Sequence, residues 1–122
     1  MNLRESVRAS RTEFLAIRLL KQRARATVYA DRAATTGNPA LRNIAALERD
    51  ILLDAESAWQ SILQHWWFET PFNHPSLEAI LRLALAKARV IAQVDFDDRN
   101  TIQAIDKFLD GVSLDELISL ET

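Results

Sequence analysis

Cysteine is absent from this chain of 122 residues, and glycine and proline are close to it, at two and three residues. Without cysteine there is no disulfide framework, no thiolate nucleophile and no cysteine-bound zinc, and the redox compartment stays open. Two glycines cannot furnish a Gly-rich phosphate loop, a dinucleotide fingerprint or a set of tight β-hairpins, each of which needs several residues free to adopt positive φ. Nucleotide-binding α/β folds are therefore largely excluded. The opening residues, from Met1 to Ser6, lack the apolar core of a secretory signal. The most apolar stretch, 77–94, carries Glu78, Arg82, Lys87 and Arg89, so it reads as a packed helix and not as a membrane span. A cytoplasmic chain with no membrane role is the expectation.

What is present is 48% hydrophobic and 26% charged, the balance of a helix-rich globular domain. All five glycines and prolines fall where the hydrophobic period breaks, at Gly37, Pro39, Pro71, Pro75 and Gly111. Read as boundaries, they divide the chain into four main helices, about 3–34, 39–68, 76–94 and 98–109, plus a short C-terminal helix, about 114–120. No period-two run of strand length interrupts them. The expectation is a single all-α domain over 1–122, a helical bundle in which the first two helices form an antiparallel hairpin.

The first helix carries a heptad-like stripe of Leu3, Val7, Ser10, Phe14, Ile17, Lys21, Ala24 and Val28, and ends where Gly37 can turn left-handed. Asn38-Pro39 supplies an N-cap and a first-turn proline for the second helix. Its expected core face is Ile44, Leu47, Ile51, Ala55, Ala58, Ile62 and Trp66. The third helix is apolar at 13 of the 18 positions from 77 to 94, the pattern of a central helix packed on most sides. The carboxylates of Asp95, Asp97 and Asp98 are placed to cap the fourth helix, and Ser113 with Glu116 fits a capping box for the fifth, docked by Leu114, Leu117, Ile118 and Leu120.

Net charge is only −2, but its distribution is uneven: residues 1–34 hold eight basic and three acidic groups, while residues 35–122 are net acidic. Arg4, Arg8, Arg11, Arg18, Arg25 and Arg32 fall, at about 100° per residue, within an arc of roughly 120° that runs about 42 Å along the first helix. Guanidinium forks bind carboxylates and phosphates. Such a stripe therefore suits an acidic protein partner, a nucleic-acid backbone, or the surplus carboxylates of the chain's own later helices. A second feature is aromatic. Trp59, Trp66, Trp67, Phe68 and Phe72 crowd into 14 residues, and since Trp66 and Trp67 cannot face one core, Trp67 and Phe72 are candidate anchors for a partner.

Catalytic and metal readings fare worse. Asp95, Asp97 and Asp106 fall at positions of an EF-hand-like loop, but Arg99 takes a ligand position and Asn100 stands where the sharp turn needs glycine. His65, Glu69 and His74 lack ligand spacing on a common helix face. No cofactor or metal is expected. The reading that results is a non-catalytic protein–protein interaction module, an adaptor, inhibitor or assembly subunit that docks through Arg4, Arg8, Arg11, Arg18, Arg25 and Arg32 and through Trp67 and Phe72. The alternative is a small subunit that follows a nucleic-acid backbone. Pairing of two copies through the first helix is compatible with both.

Overall fold

The computed structural model describes residues 3–64 and 74–118, with residues 4, 5, 74, 75, 76 and 118 described by their backbone alone. Five helices follow in order: α1 (Leu3–Thr36), α2 (Pro39–Ile62), α3 (His74–Gln93), α4 (Arg99–Asp110) and α5 (Leu114–Ile118). Among the described residues there is no strand. The all-α bundle with four main helices and a short fifth is thus the observed fold.

The boundaries arise from local chemistry. At Gly37 the backbone turns to φ 65°, and its N–H donates to Ala33 O at 3.0 Å, the single left-handed bond that closes a helix C-terminus. Asn38 then caps α2, its side chain accepting from the Ala40 N–H at 2.9 Å, with Pro39 at the position where a missing N–H costs nothing. Asp98 caps α4 by accepting from the backbone N–H groups of Asn100 and Thr101, at 3.3 and 3.1 Å. Ser113 accepts from the Glu116 N–H at 3.4 Å, one half of the expected capping box.

α1 and α2 are antiparallel, since Arg18 reaches Asp54 while Arg25 reaches Glu48. α1 and α3 run parallel, since Glu13 pairs with Lys87 and Arg25 with Asp95. Both long helices lie against α1 and have no extended contact with each other. α1 is therefore the central helix, and the expectation that α3 holds that place is corrected. The reason is visible along α3: Leu77, Leu81, Ala84, Ala88 and Ala92 are buried on one face, whereas Leu83, Val90, Ile91 and Val94 remain exposed. α1 instead buries Thr12, Ala16, Leu19, Leu20, Gln22, Ala24, Ala26, Val28 and Ala33, which together span more than one face. Facing alanines on α1 and α3 let the two backbones approach closely.

α4 packs on both α1 and α3. α5 follows it, with Leu117 fully buried and its carbonyl accepting from the Trp59 indole N–H at 2.9 Å. Trp59 is the largest fully buried side chain among the described residues, and its one polar atom is satisfied by that bond. Residues of all five helices join one core cluster. The second helix needs a correction as well. Of its expected core face, Ala55 and Ile62 are buried, but Ile44, Leu47 and Ile51 are exposed, and Trp66 lies outside the described residues. The face that meets α1 is rotated toward Glu48, Leu52, Ala55 and Trp59.

The two glycines should respond oppositely to alanine. Gly37→Ala forces a side chain into a left-handed residue and should cost about 1–2 kcal/mol. Gly111 has φ −84°, and a Cβ there meets nothing closer than 3.5 Å. Gly111→Ala should be neutral or stabilising by up to ~1 kcal/mol. Urea unfolding of both variants checks the pair.

Candidate functional site

The arginine stripe is largely spent within the fold. Arg18 pairs with Asp54 of α2, and Arg32 reaches Thr101 and, at 3.5 Å, Asp98. Arg25 sits deepest, its side chain 13% exposed, with one nitrogen 2.6 Å from Asp95 and the other 3.1 Å from Glu48. Arg8 and Arg11 also hold partners, and the Arg4 side chain lies outside the described ones. Trp67, Phe72, His65 and Glu69 likewise fall outside the described residues.

Around Arg25 the chain builds a polar network. Gln22, 1% exposed, donates through its amide nitrogen to both the backbone carbonyl and the carboxylate of Glu48. The Arg25 guanidinium lies 5.6 Å from the Tyr29 ring centre and 5.7 Å from that of Phe96; Arg32 stands 5.1 Å from Phe96. Phe96, on the turn between α3 and α4, thus meets two cations, with Tyr29 packed against it at 5.6 Å. The network binds α1 to α2 and to the α3–α4 turn at one end of the bundle.

Its electrostatics are those of a lock. Burial works against the Glu48 carboxylate, but hydrogen bonds from Arg25 and Gln22 and the charges of Arg25 and Lys21 outweigh it and hold the group below the usual glutamate range. Burial likewise pulls Arg25 down, and Glu48 with Asp95 more than restores it, so the guanidinium is raised. Asp98 is lowered chiefly by the Thr101 hydroxyl. The aspartates that mimicked a calcium loop have other work: Asp95 pairs with Arg25, while Asp106 accepts from Gln93 and lies 3.9 Å from Arg89. Among the described residues no group of three or more His, Cys, Asp or Glu is placed to hold a metal ion.

A second feature places most of the heptad-like stripe of α1 on the surface and not in the core. Around the N-terminal half of α1, two ion pairs mark the edges of an open arc. Arg18–Asp54 lies on the seam with α2 and Glu13–Lys87 on the seam with α3. Between them, at 100° per residue, fall Leu3, Ser6, Val7, Ser10, Phe14, Ile17 and Lys21. Leu3, Val7 and Phe14 are 81%, 56% and 66% exposed. Beside Asp54, one or two turns away on the same side of α2, lie Ile51 and Leu47; beside Lys87 on α3 lie Leu83, Val90, Ile91 and Val94. All of these are exposed.

The opposite flank is closed. There Arg23 lines a shallow groove of about 510 Å³ with Lys107, Phe108, Val112 and Glu116 of the α4–α5 region, and Leu19, one turn before it, is fully buried. Among the described residues, the layer α2–α1–α3 is therefore covered on one side and presents an exposed apolar surface on the other. The signal for this was an excess: α2 and α3 carry apolar arcs wider than one helix–helix seam requires.

Comparison with known proteins adds no relative: no family model matches the chain, nor does any curated protein or solved structure. No helix among the described residues is long and apolar enough to cross a membrane.

Because Glu48 and Asp98 titrate below their ordinary values in the fold, their contribution to stability is complete above the unfolded-state values, about pH 4–4.5, and is lost as pH falls through the folded-state ones. The urea midpoint should accordingly be flat from neutral pH to about 5.5 and fall below about 4.5. Glu48→Gln should lower stability at pH 7 by about 2–3 kcal/mol, by leaving Arg25 half-paired in a partly buried site, and should make the acid fall shallower.

Proposed function

We propose that this chain is a non-catalytic helical interaction module, and that its docking surface is the open face of the α2–α1–α3 layer. The observation that carries the reading is the concentration of exposed large apolar side chains on one side of three packed helices. Monomers seldom expose a contiguous apolar patch beyond about 300–600 Å², and larger ones mark sites of association.

Two further observations support it. A general acid at neutral pH needs a carboxyl group raised toward 7, whereas among the described residues the carboxylates moved from their ordinary values, Glu48 and Asp98, are both lowered. The basic stripe also offers little to a phosphate backbone, because Arg18, Arg25 and Arg32 already meet Asp54, Glu48, Asp95 and Asp98. Docking through the arginine face thus gives way to docking through aliphatic and aromatic surface, with the arginines holding the helices that present it.

The reading predicts which substitutions matter. In affinity capture of the tagged full chain from cells, Phe14→Glu with Leu47→Glu should abolish co-purification of partners, while Arg18→Glu should act mainly by lowering thermal stability. Capture that is indifferent to Phe14 and Leu47 would remove the open face from consideration. Titration with single- and double-stranded nucleic acid at low salt should show no binding; a complex that weakens steeply with added salt would favour the backbone-binding alternative instead.

A further inference from the structure

From the open face we infer a specific occupant: a second copy of this chain, packed face to face about a two-fold axis. The inference rests on the interaction-module reading and goes beyond it by naming the partner.

The first argument is area. The face presents Leu3, Val7 and Phe14 from α1, Ile44, Leu47 and Ile51 from α2, and Leu83, Val90, Ile91 and Val94 from α3, with exposures from 36% to 81%. At roughly 150–200 Å² for a fully exposed residue of this size, toward the low end of the aromatic range, their open fractions amount to about 850–1,100 Å². Each partner of a standard interface contributes about 800 Å², of which little more than half is apolar. The face is therefore large enough for a stable dimer, and more apolar than a transient encounter requires.

The second argument is charge. A two-fold interface places the same patch on both subunits, so a patch dominated by one sign would repel itself. Here the charges at both edges are already neutralised inside the subunit, Arg18 by Asp54 and Lys87 by Glu13. Ser6, Ser10 and the partly buried Lys21 are the polar residues within the α1 arc. Arg11 borders Val7 and Phe14 at the α2 edge; within the arc Lys21 is the one charged residue and is partly buried, so a two-fold copy brings few like charges together over an apolar centre.

The third argument is extent. The α3–α4 turn closes the C-terminal half of this side of α1, where Phe96 lies over Arg25 and Arg32. The open arc thus ends against an ordered boundary, leaving a face of finite length that a two-fold partner covers without generating a chain of copies.

Sedimentation equilibrium of the full chain, from low-micromolar to several-hundred-micromolar concentration, tests the inference. The expected result is a concentration-dependent species of twice the chain mass. Phe14→Glu and Val90→Glu should each weaken it by about 10-fold or more. Leu53→Glu, on an equally exposed leucine of α2 away from this face, should leave it unchanged. All three positions are exposed, so circular dichroism and the thermal midpoint of the monomer should match the unmodified chain. A chain that stays monomeric throughout overturns the dimer, as does a dimer that ignores Phe14 and Val90 or is broken equally by Leu53→Glu. If the monomer still captures a different protein in a Phe14-dependent way, the second copy is excluded and the interaction-module reading survives; if capture is also indifferent to Phe14, both fall.

Discussion

α1 must bury apolar side chains toward two neighbours that have no extended contact with each other while keeping a row of arginines charged, and the rest of the fold follows from how that conflict is met. Toward α3 the solution is steric. Ala16, Leu20 and Ala24 meet a face of α3 in which alanines recur at Ala84, Ala88 and Ala92, so the helices approach closely over buried surface. Toward α2 the solution is electrostatic. Gln22, Glu48 and Arg25 enter the seam as a connected set, and among the described residues no buried side-chain nitrogen or oxygen is left without a hydrogen-bond partner. A half-satisfied set at that depth would be worse than an apolar seam. The network also explains why the α3–α4 turn lies where it does, since Asp95 and Phe96 supply the second carboxylate and the ring that Arg25 needs.

How much of this was legible depended on whether the determining chemistry was local. The cap at Asn38, the left-handed turn at Gly37 and the carboxylate cap at Asp98 depend on residues within a few positions, and all three could be read directly. The antiparallel hairpin followed from the short link between two long helices. The packing partner of each face was not local. Ile44, Leu47 and Ile51 have the right spacing for a core stripe, yet the face turned to α1 is centred on Glu48, a residue that polarity alone would put in water. Glu48 is buried because Arg25 and Gln22, more than twenty positions earlier, neutralise and bond it, and no window of sequence contains that information. The same limit misplaced α3, since an apolar period shows how much of a helix avoids water without showing what covers it.

The arginine stripe illustrates the distinction between composition and commitment. Its spacing was real, and all three of its members deepest in the bundle lie on seams between α1 and other elements. What the spacing could not show was that the acidic surplus of the later helices arrives at matching heights, so that Asp54, Glu48, Asp95 and Asp98 meet Arg18, Arg25 and Arg32 in turn. Positive charge on α1 and negative charge on α2 and the α3–α4 turn therefore act as an internal register. The near-zero net charge of the whole chain is the sum of two large complementary distributions.

That register bears on the uncovered face. The buried Gln22–Glu48–Arg25 network on the α2 seam fixes the angle at which α2 meets α1, and so holds Leu47 beside Phe14 on one side of the layer against its tendency to roll inward. A helix free to rotate would bury such residues, because each offers about 1.5–3 kcal/mol on leaving water. Rotating α2 to bury Ile44, Leu47 and Ile51 would carry Glu48 out of reach of Arg25 and Gln22 and leave Arg25 underpaired beside the core. The exposed apolar stripe is thus tied to the same buried network that orders the seam, and the protein keeps an apolar surface in water because the alternative is an incompletely paired charge inside it.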